Sequence, residues 1–196
     1  MELNLMPKNS LLGFFETINK LKHTKRTGWV LCGVKNAESV AEHSFRVAVM
    51  AFFLAKKLKC NSEKLVKMCL LHDLHESISG DLILDYSKYG EKLGGLGKEE
   101  KAAKEKKAFE ELTQIIGQKD SKGFRESWLE FEEGKTKEAI IAKELDVLEM
   151  MIQVAEYQKN KNFEIPLWPI WIKENRGRIK NPELKKILSE IEKQMV

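Results

Sequence analysis

The residues best suited to chemistry in this sequence are histidines that stand beside acids. The chain has four histidines, and two of them, His43 and His72, lie in the apolar segments SVAEHSFRVAVMA and LVKMCLLHDLHE. Asp73 directly follows His72. Burial of an imidazole and a carboxylate is costly unless they are hydrogen-bonded or hold a metal ion. The dipeptide alone is compatible with either arrangement.

Further features favour a metal site. Glu76 follows His72 by four residues and Asp73 by three, so a helix would bring these side chains to one neighbourhood. Asp146 lies in the largely apolar segment IIAKELDVLEMMIQ. Two imidazoles and two carboxylates suit a divalent ion of intermediate hardness, and a six-coordinate ion would keep positions open for water and a substrate oxygen. Because the set contains no thiol, it is untypical of structural zinc.

The order of these residues resembles a known signature. His43, then His72-Asp73, then Asp146 is similar to the H…HD…D pattern of the HD-domain superfamily of metal-dependent phosphohydrolases. The segments ESVAEHSFRVAVMA, LLHDLHESISGDL and KELDVLEMMIQVAEY, with RTGW upstream, resemble its 5′-deoxynucleotidase subfamily, related to bacterial YfbR and eukaryotic HD domain-containing protein 2. The resemblance covers about residues 12–157. It implies an all-α, HD-domain helical bundle with a central metal site, usually as a homodimer.

The resemblance also implies a reaction, the hydrolysis of deoxyribonucleoside 5′-monophosphates to deoxynucleosides and phosphate. It assigns one divalent ion, which could be manganese, cobalt, iron, nickel, zinc or magnesium, to the ligands His43, His72, Asp73 and Asp146. Glu76 and Asp81 match the two additional acids of the motif. We expect the ion to polarise the phosphate and to lower the pKa of a water that Glu76 orients or deprotonates. A protonated Asp81 would then donate to the departing 5′-oxygen.

Several other side chains have two interpretations. Arg26 and Trp29 precede His43 in a loop, where they could bind phosphate and pack against the sugar or base, or could be a surface arginine and a core tryptophan. We expect His75 to have a surface or packing role. Where many relatives have lysine this chain has Val147, and we expect the change to concern a surface or dimer contact.

Hydrophobic periodicity predicts an all-α chain, since apolar residues recur at three- and four-residue steps. The pattern predicts a first helix capped by Ser10, a loop over 26–37, a helix from Ser39 to Lys59, and a helix capped by Ser62 that continues through Glu76. We expect the charged segment KEEKAAKEKK to be a solvated helix face. Further helices are predicted at about 124–132, 137–157, 169–174 and 182–194.

Composition narrows the class of protein. The chain has 196 residues, of which 42% are hydrophobic and 33% charged, so we expect one folded HD domain over residues 1–196. Its metal-binding core would span about 12–157, with C-terminal helices at 167–196 packed on it. The 34 basic and 30 acidic residues are interleaved, which disfavours a nucleic-acid polymer as partner. Three cysteines and no evident signal or membrane segment favour a cytoplasmic protein.

Two alternatives to a 5′-deoxynucleotidase remain open at this point. One keeps the metal and changes the substrate, as in an HD-type phosphodiesterase or a hydrolase of another nucleotide. The other is a regulatory module that binds a nucleotide or metal without turnover. Glu76 and Asp81 favour catalysis, since binding alone does not require two extra acids. The absence of a further histidine pair favours a single ion and a monoester substrate.

Overall fold

Helices make up the regular structure of the chain. A computed structural model describes residues 10–87, 91–161 and 163–195. Within these ranges, β-type pairing is limited to two isolated bridges, Lys25 with Ser39 and Leu84 with Leu96. The α-helices are α1 (Leu11–Ile18), α2 (Thr27–Leu31), α3 (Val40–Leu54), α4 (Ser62–Leu71), α5 (Glu76–Ser79), α6 (Lys98–Ile116), α7 (Gln118–Glu133), α8 (Lys137–Asn160), α9 (Leu167–Asn175) and α10 (Pro182–Gln194). The predicted all-α class is confirmed.

Side-chain caps fix where the helices begin. At α3, the hydroxyl of Ser39 accepts from the backbone N–H of Glu42, and the Glu42 carboxylate accepts from the backbone N–H of Ser39 at 2.6 Å. This capping box sets the register of the helix that carries His43. The first helix is capped by Ser10, as predicted. For α4 the predicted cap was wrong, since Asn61 caps this helix and Ser62 is its first residue.

The core forms where α3, α4 and α8 meet. The central helix α8 packs against α3, α4, α7, α9 and α10. Fully buried apolar residues of this core include Val47, Ala51, Leu65, Met68, Leu145, Leu148 and Met151. A smaller cluster beneath α1, α6 and α7 contains Phe14, Phe109, Leu112, Phe124 and Trp128. Because His43 lies on α3, Asp146 on α8 and the His72-Asp73 pair directly after α4, packing of this core brings them together.

The helix predicted to run through the His72-Asp73 pair is interrupted. Helix α4 ends at Leu71, α5 begins at Glu76, and the four residues between them form turns. The carbonyl of Asp73 accepts from the N–H of Glu76 at 3.0 Å, a three-residue step tighter than that of an α-helix. The ring Nδ1 of His72 lies 2.8 Å from the carbonyl oxygen of Cys69. These local bonds replace regular helix bonding, yet they keep the three polar side chains in one neighbourhood.

Other boundaries also differ from those predicted. The segment 26–37, expected to be a loop, contains the short helix α2, and α7 begins at Gln118 because Gly117, at a φ of 89°, separates it from α6. Residues 1–9, 88–90, 162 and 196 lie outside the described ranges. Within those ranges, each helix is too short or too polar to cross a membrane.

Candidate metal centre

Four side chains from three parts of the fold converge on one small volume. Nε2 of His43 lies 3.2 Å from Oδ1 of Asp146 and 3.7 Å from Oδ2 of Asp73. The same oxygen of Asp73 lies 3.1 Å from Nε2 of His72. His43, His72 and Asp73 form a group whose ligand atoms are close enough to hold one metal ion. Asp146 joins them through its contact with His43.

The donor atoms fit a divalent cation. His43 is 0% exposed and His72 is 3% exposed, and Nε2 of each ring is buried without a well-aligned hydrogen bond. Buried ring nitrogens are costly when unpaired. Both nitrogens face the carboxylate of Asp73, so an ion shared by these residues would satisfy them. Nitrogen and oxygen ligands in this ratio suit the transition metals more than calcium.

Glu149, a residue not predicted from the sequence, orients His43. Oε2 of Glu149 lies 2.5 Å from Nδ1 of His43, and Oε1 accepts from Nε of Arg46 at 2.7 Å. A hydrogen bond at Nδ1 leaves Nε2 free to face a metal. A signal was present, since Glu149 follows Asp146 by three residues and Arg46 follows His43 by three, which places each pair on one helix face. His72 is oriented similarly by the carbonyl of Cys69.

The charged groups of the cluster shift one another's pKa values. Burial and Arg26 oppose protonation of His43, but Glu149 and Asp146 outweigh them and raise the pKa of His43 to about 10. Burial works against ionisation of Asp146, yet its contact with His43 lowers the pKa of Asp146 to about 2. The imidazole of His43 and the carboxylates beside it therefore stabilise each other's charged forms. A divalent cation would compete with these protons for the same nitrogen atoms.

Glu76 is placed beside this cluster and is largely hidden from solvent. Its side chain lines the same pocket, the residue is 4% exposed, and Oε2 is buried without a hydrogen-bond partner within the described residues. Burial, with the negative charges of Asp73 and Asp81, raises the pKa of Glu76 well above its usual value. A carboxyl group with these properties is suited to exchanging a proton.

Asp81 holds the loop that carries Arg26. Oδ1 of Asp81 accepts from Arg26 at 3.1 Å, and Oδ2 accepts from the backbone N–H of Thr27 at 2.5 Å. Gly80, at a φ of 71°, ends α5 and turns the chain toward this contact. Both carboxylate oxygens of Asp81 therefore accept hydrogen bonds from the segment that carries Arg26.

Arg26 contacts one of the candidate metal ligands, whereas Trp29 packs in the core. The guanidinium of Arg26 lies 3.5 Å from Oδ2 of Asp73 as well as contacting Asp81. Trp29 is 2% exposed, donates from Nε1 to Glu38 at 3.0 Å, and packs against Tyr157 and Trp171. Arg26 is thus no ordinary surface arginine. Trp29 belongs to the core and also forms part of the pocket wall.

The pocket in front of the cluster has a polar end and an apolar wall. Its volume is about 330 Å³, in the range typical of small-molecule sites. Its apolar lining, apart from Trp29, includes Ile83, Tyr86, Phe131, Val147, Met150 and Trp171. Val147 is 1% exposed, so the expectation of a surface or dimer contact at this position was wrong. Met150 and Trp171, which pack against the main core, line the pocket too.

A second polar group lines the pocket on the side of α6. Lys101 and Glu105 face this space, so the expectation that their whole segment is solvated was wrong for these residues. His75 is 4% exposed, packs edge-on against Trp128, and lies 3.8 Å from Glu105. Helix α6 carries so many charged residues that its sequence does not indicate which of them face inward. The contact between α6 and α5 determines which side chains face the pocket.

Comparison with known proteins identifies the class to which this fold and site belong. The family model described as HD domain matches residues 18–189. The chain is a member of the HD-domain family, which confirms the resemblance seen in its motifs.

Its relatives narrow the comparison further. The chain is 35% identical over 182 residues to 5′-deoxynucleotidase HDDC2 of Xenopus laevis, covering 93% of this chain and 86% of the relative. It is 39% identical over 158 residues to 5′-deoxynucleotidase HDDC2 of Dictyostelium discoideum, covering 77% of this chain and 79% of the relative.

Solved structures share the fold. A conserved hypothetical protein from Pyrococcus furiosus superimposes with a TM-score of 0.72 at 32% identity, covering 93% of this chain and 99% of that chain. A predicted metal-dependent phosphohydrolase from Magnetospirillum magnetotacticum gives a TM-score of 0.71, covering 94% of this chain and 90% of that chain. Its identity to this chain is 22%, so this second likeness concerns the fold alone.

Proposed function

We propose that this protein is a metal-dependent 5′-deoxynucleotidase, which hydrolyses deoxyribonucleoside 5′-monophosphates to a deoxynucleoside and phosphate. One observation carries the proposal: the His43, His72, Asp73 and Asp146 cluster opens into a pocket that also holds Arg26 and Glu76. The relatives named 5′-deoxynucleotidase support the choice of substrate class.

The proposed ligands of one divalent ion are His43, His72, Asp73 and Asp146. When bound, such an ion supplies polarisation of a phosphate oxygen and a lowered pKa of water. Two properties of the chain support this set, the unpaired Nε2 atoms of the imidazoles and the carboxylates within 3.7 Å of His43. Manganese, cobalt, iron, nickel and zinc suit this mixture of imidazole and carboxylate ligands, whereas magnesium would be bound mainly by the carboxylates.

Arg26 binds the phosphate in this proposal and Glu76 moves the proton. The guanidinium lies between Asp73 and Asp81, where it can turn its remaining donors toward an anion. Glu76 has a free buried oxygen and a raised pKa, so it exchanges a proton with the attacking water or with the departing 5′-oxygen. Asp81 holds Arg26 and Thr27 in place rather than acting as the proton donor.

The apolar wall takes the nucleoside. Tyr86 and Trp171 are near-parallel, with ring centroids 6.0 Å apart, and both line the pocket. Aromatic faces are suited to packing against a sugar or base. Trp29 completes this wall from within the core, where its position is fixed by Glu38.

We further propose a cytoplasmic homodimer formed by single-domain chains. The three cysteines are all free, which suits a reducing compartment. Helix α3 exposes an apolar stripe, made of Phe45, Val49, Phe52 and Phe53, with exposed fractions of 68%, 36%, 63% and 74%. Two copies related by a twofold axis would cover each other's stripe. The C-terminal helices α9 and α10 pack on the central helix α8. This contact supports the proposal that they belong to the same domain as the metal-binding core.

The deciding experiment is chromatographic analysis of the products formed from a panel of deoxyribo- and ribonucleoside monophosphates, cyclic nucleotides and triphosphates, each with several divalent ions. We expect deoxyribonucleoside 5′-monophosphates to yield a deoxynucleoside and inorganic phosphate, a reaction abolished by a chelator and restored by added metal. The His72→Ala variant is the control for metal-dependent turnover. Ring opening of cyclic nucleotides to monophosphates as the one reaction seen, or no phosphate release from any monophosphate, would contradict the proposal.

A further inference from the structure

A cluster outside the candidate metal ligands lines the same pocket. Lys101 and Glu105, one helical turn apart on α6, form an ion pair, and Nε2 of His75 lies 3.8 Å from Oε1 of Glu105. The side chains of Lys101, Glu105 and His75 are 23%, 16% and 5% exposed. On the same helix, Lys104 and Glu100 also pair one turn apart, but both are more than half exposed. Of these two ion pairs, the one between Lys101 and Glu105 therefore faces the pocket, and the one between Lys104 and Glu100 faces solvent.

The charge balance of the pocket calls for a second cation. The proposed metal ligands Asp73 and Asp146 line the pocket together with two further acids, Glu76 and Asp81. Arg26 already contacts Asp73 and Asp81. A phosphate monoester brings up to two further negative charges next to Glu76. Lys143 and Arg178 also line the pocket, but Lys143 donates to the backbone carbonyl of Glu132 and Arg178 donates to the side chain of Asn175. Like charges repel strongly in a pocket that excludes water, so a further cation beside the phosphate would stabilise its binding.

Lys101 lies where it can supply that charge. Burial opposes protonation of Lys101, but Glu105, Glu76 and Asp73 raise its pKa, so the ammonium group stays charged in a side chain that lines the pocket. An ammonium group has three N–H donors. Within the described residues its hydrogen-bond acceptor is Glu105, which leaves donors for an incoming anion.

We infer that Lys101 is a second phosphate-binding cation of this site, held in position by Glu105, which His75 supports in turn. The inference rests on the proposed function, since it assigns a further residue to the same substrate. It also gives His75 a part in the site, through a contact with Glu105 rather than with the metal. Glu105 and His75 are positioning residues, whereas Lys101 touches the substrate.

The test measures binding of inorganic phosphate, using the full chain loaded with Mn²⁺, Co²⁺ or Zn²⁺ in turn. Because a charge-assisted hydrogen bond is lost, Lys101→Met should weaken phosphate binding by about 10-fold or more in calorimetric titration. Lys101→Arg should retain most of the affinity. Lys104→Met, the matched control on the exposed ion pair, should bind phosphate within about twofold of the unaltered protein. Thermal unfolding of each variant checks that the fold is kept.

Glu105→Gln tests the positioning role. We expect weaker phosphate binding and a raised KM with kcat largely retained, because the ammonium group remains but is less well placed. A uniform loss of kcat with unchanged phosphate affinity would contradict this role.

The outcomes separate this inference from the proposed function. Phosphate affinity of Lys101→Met within twofold of the unaltered protein would overturn the inference, as would the lack of phosphate binding by every metal-loaded form. Lys101-dependent phosphate binding without hydrolysis of any monophosphate would uphold the inference and contradict the function. Hydrolysis with Lys101-independent phosphate binding would do the reverse.

Discussion

Oε2 of Glu149 lies 2.5 Å from Nδ1 of His43, and both side chains are fully buried. The other ring nitrogen of His43 faces Asp73 and Asp146. A single contact on one side of the imidazole therefore fixes which nitrogen is available on the other side. Arg46 compensates the buried charge of Glu149 and ties it to α3. The position of a proposed metal ligand thus depends on a carboxylate that makes no contact with the proposed metal position.

Glu149→Gln should weaken metal binding by about 10- to 100-fold, because the amide no longer supplies a charged acceptor for the Nδ1 proton of His43. Competition with a chromogenic chelator measures the affinity directly. Glu156→Gln is the control on the same helix, since the exposed carboxylate of Glu156 meets Arg46 only at 4.0 Å. Equal affinities for the two variants would show that Glu149 does not orient the ligand.

Metal affinity should rise with pH across the neutral range. The pKa of His43 without metal is about 10, and an ion binds the neutral ring, so binding displaces a proton at any pH below that value. Each displaced proton increases the apparent affinity by up to about tenfold per pH unit. Chelator competition at pH 6.5, 7.5 and 8.5 measures the slope. A pH-independent affinity would mean that His43 is already neutral in the metal-free protein.

Glu76→Gln should reduce kcat by about 100-fold or more while metal is retained, because the amide cannot exchange a proton with water or with the leaving group. Metal content is measured by elemental analysis alongside turnover. Asp81→Asn provides the contrast: it weakens the hold on Arg26, so we expect mainly a raised KM. Unchanged turnover of Glu76→Gln would remove Glu76 from the chemistry.

Trp29→Ala should lower the free energy of unfolding by about 3–5 kcal/mol, because it removes a buried ring that packs against Tyr157 and Trp171. Trp29→Phe should cost less, since it keeps an aromatic ring and loses the bond to Glu38. Urea denaturation followed by circular dichroism measures both. If Trp29→Ala is as stable as the unaltered protein, this tryptophan serves the pocket and not the core.

Phe53→Glu should convert the proposed dimer to a monomer, because it places a charge in the apolar stripe of α3. Light scattering coupled to size-exclusion chromatography measures the mass. Leu129→Glu, on an exposed apolar residue of α7, is the matched control and should leave the mass unchanged. A monomeric unaltered protein, or a dimer that survives Phe53→Glu, would exclude this stripe as the interface.

Some residues of the candidate site could be predicted from the sequence, and others could not. His43, His72, Asp73 and Asp146 were predictable because polar groups in apolar helices carry a large desolvation cost. Glu149 follows from helical spacing once Asp146 is chosen, although it was overlooked. Lys101 could not be singled out, because α6 contains many lysines and glutamates and the inward-facing ones are selected only by contact with α5.

The sequence by itself determined the helical class, the cap at Ser10 and the start of a helix at Ser39. It also determined which polar side chains lie within apolar segments. These are properties of spacing and desolvation, which act over a few residues. Tertiary structure decided that the segment after α4 turns instead of continuing as a helix, that Asp81 receives Arg26 and Thr27, and that Val147 lies inside. Those outcomes depend on contacts between residues more than fifty positions apart or on packing of whole helices, and local pattern does not encode them.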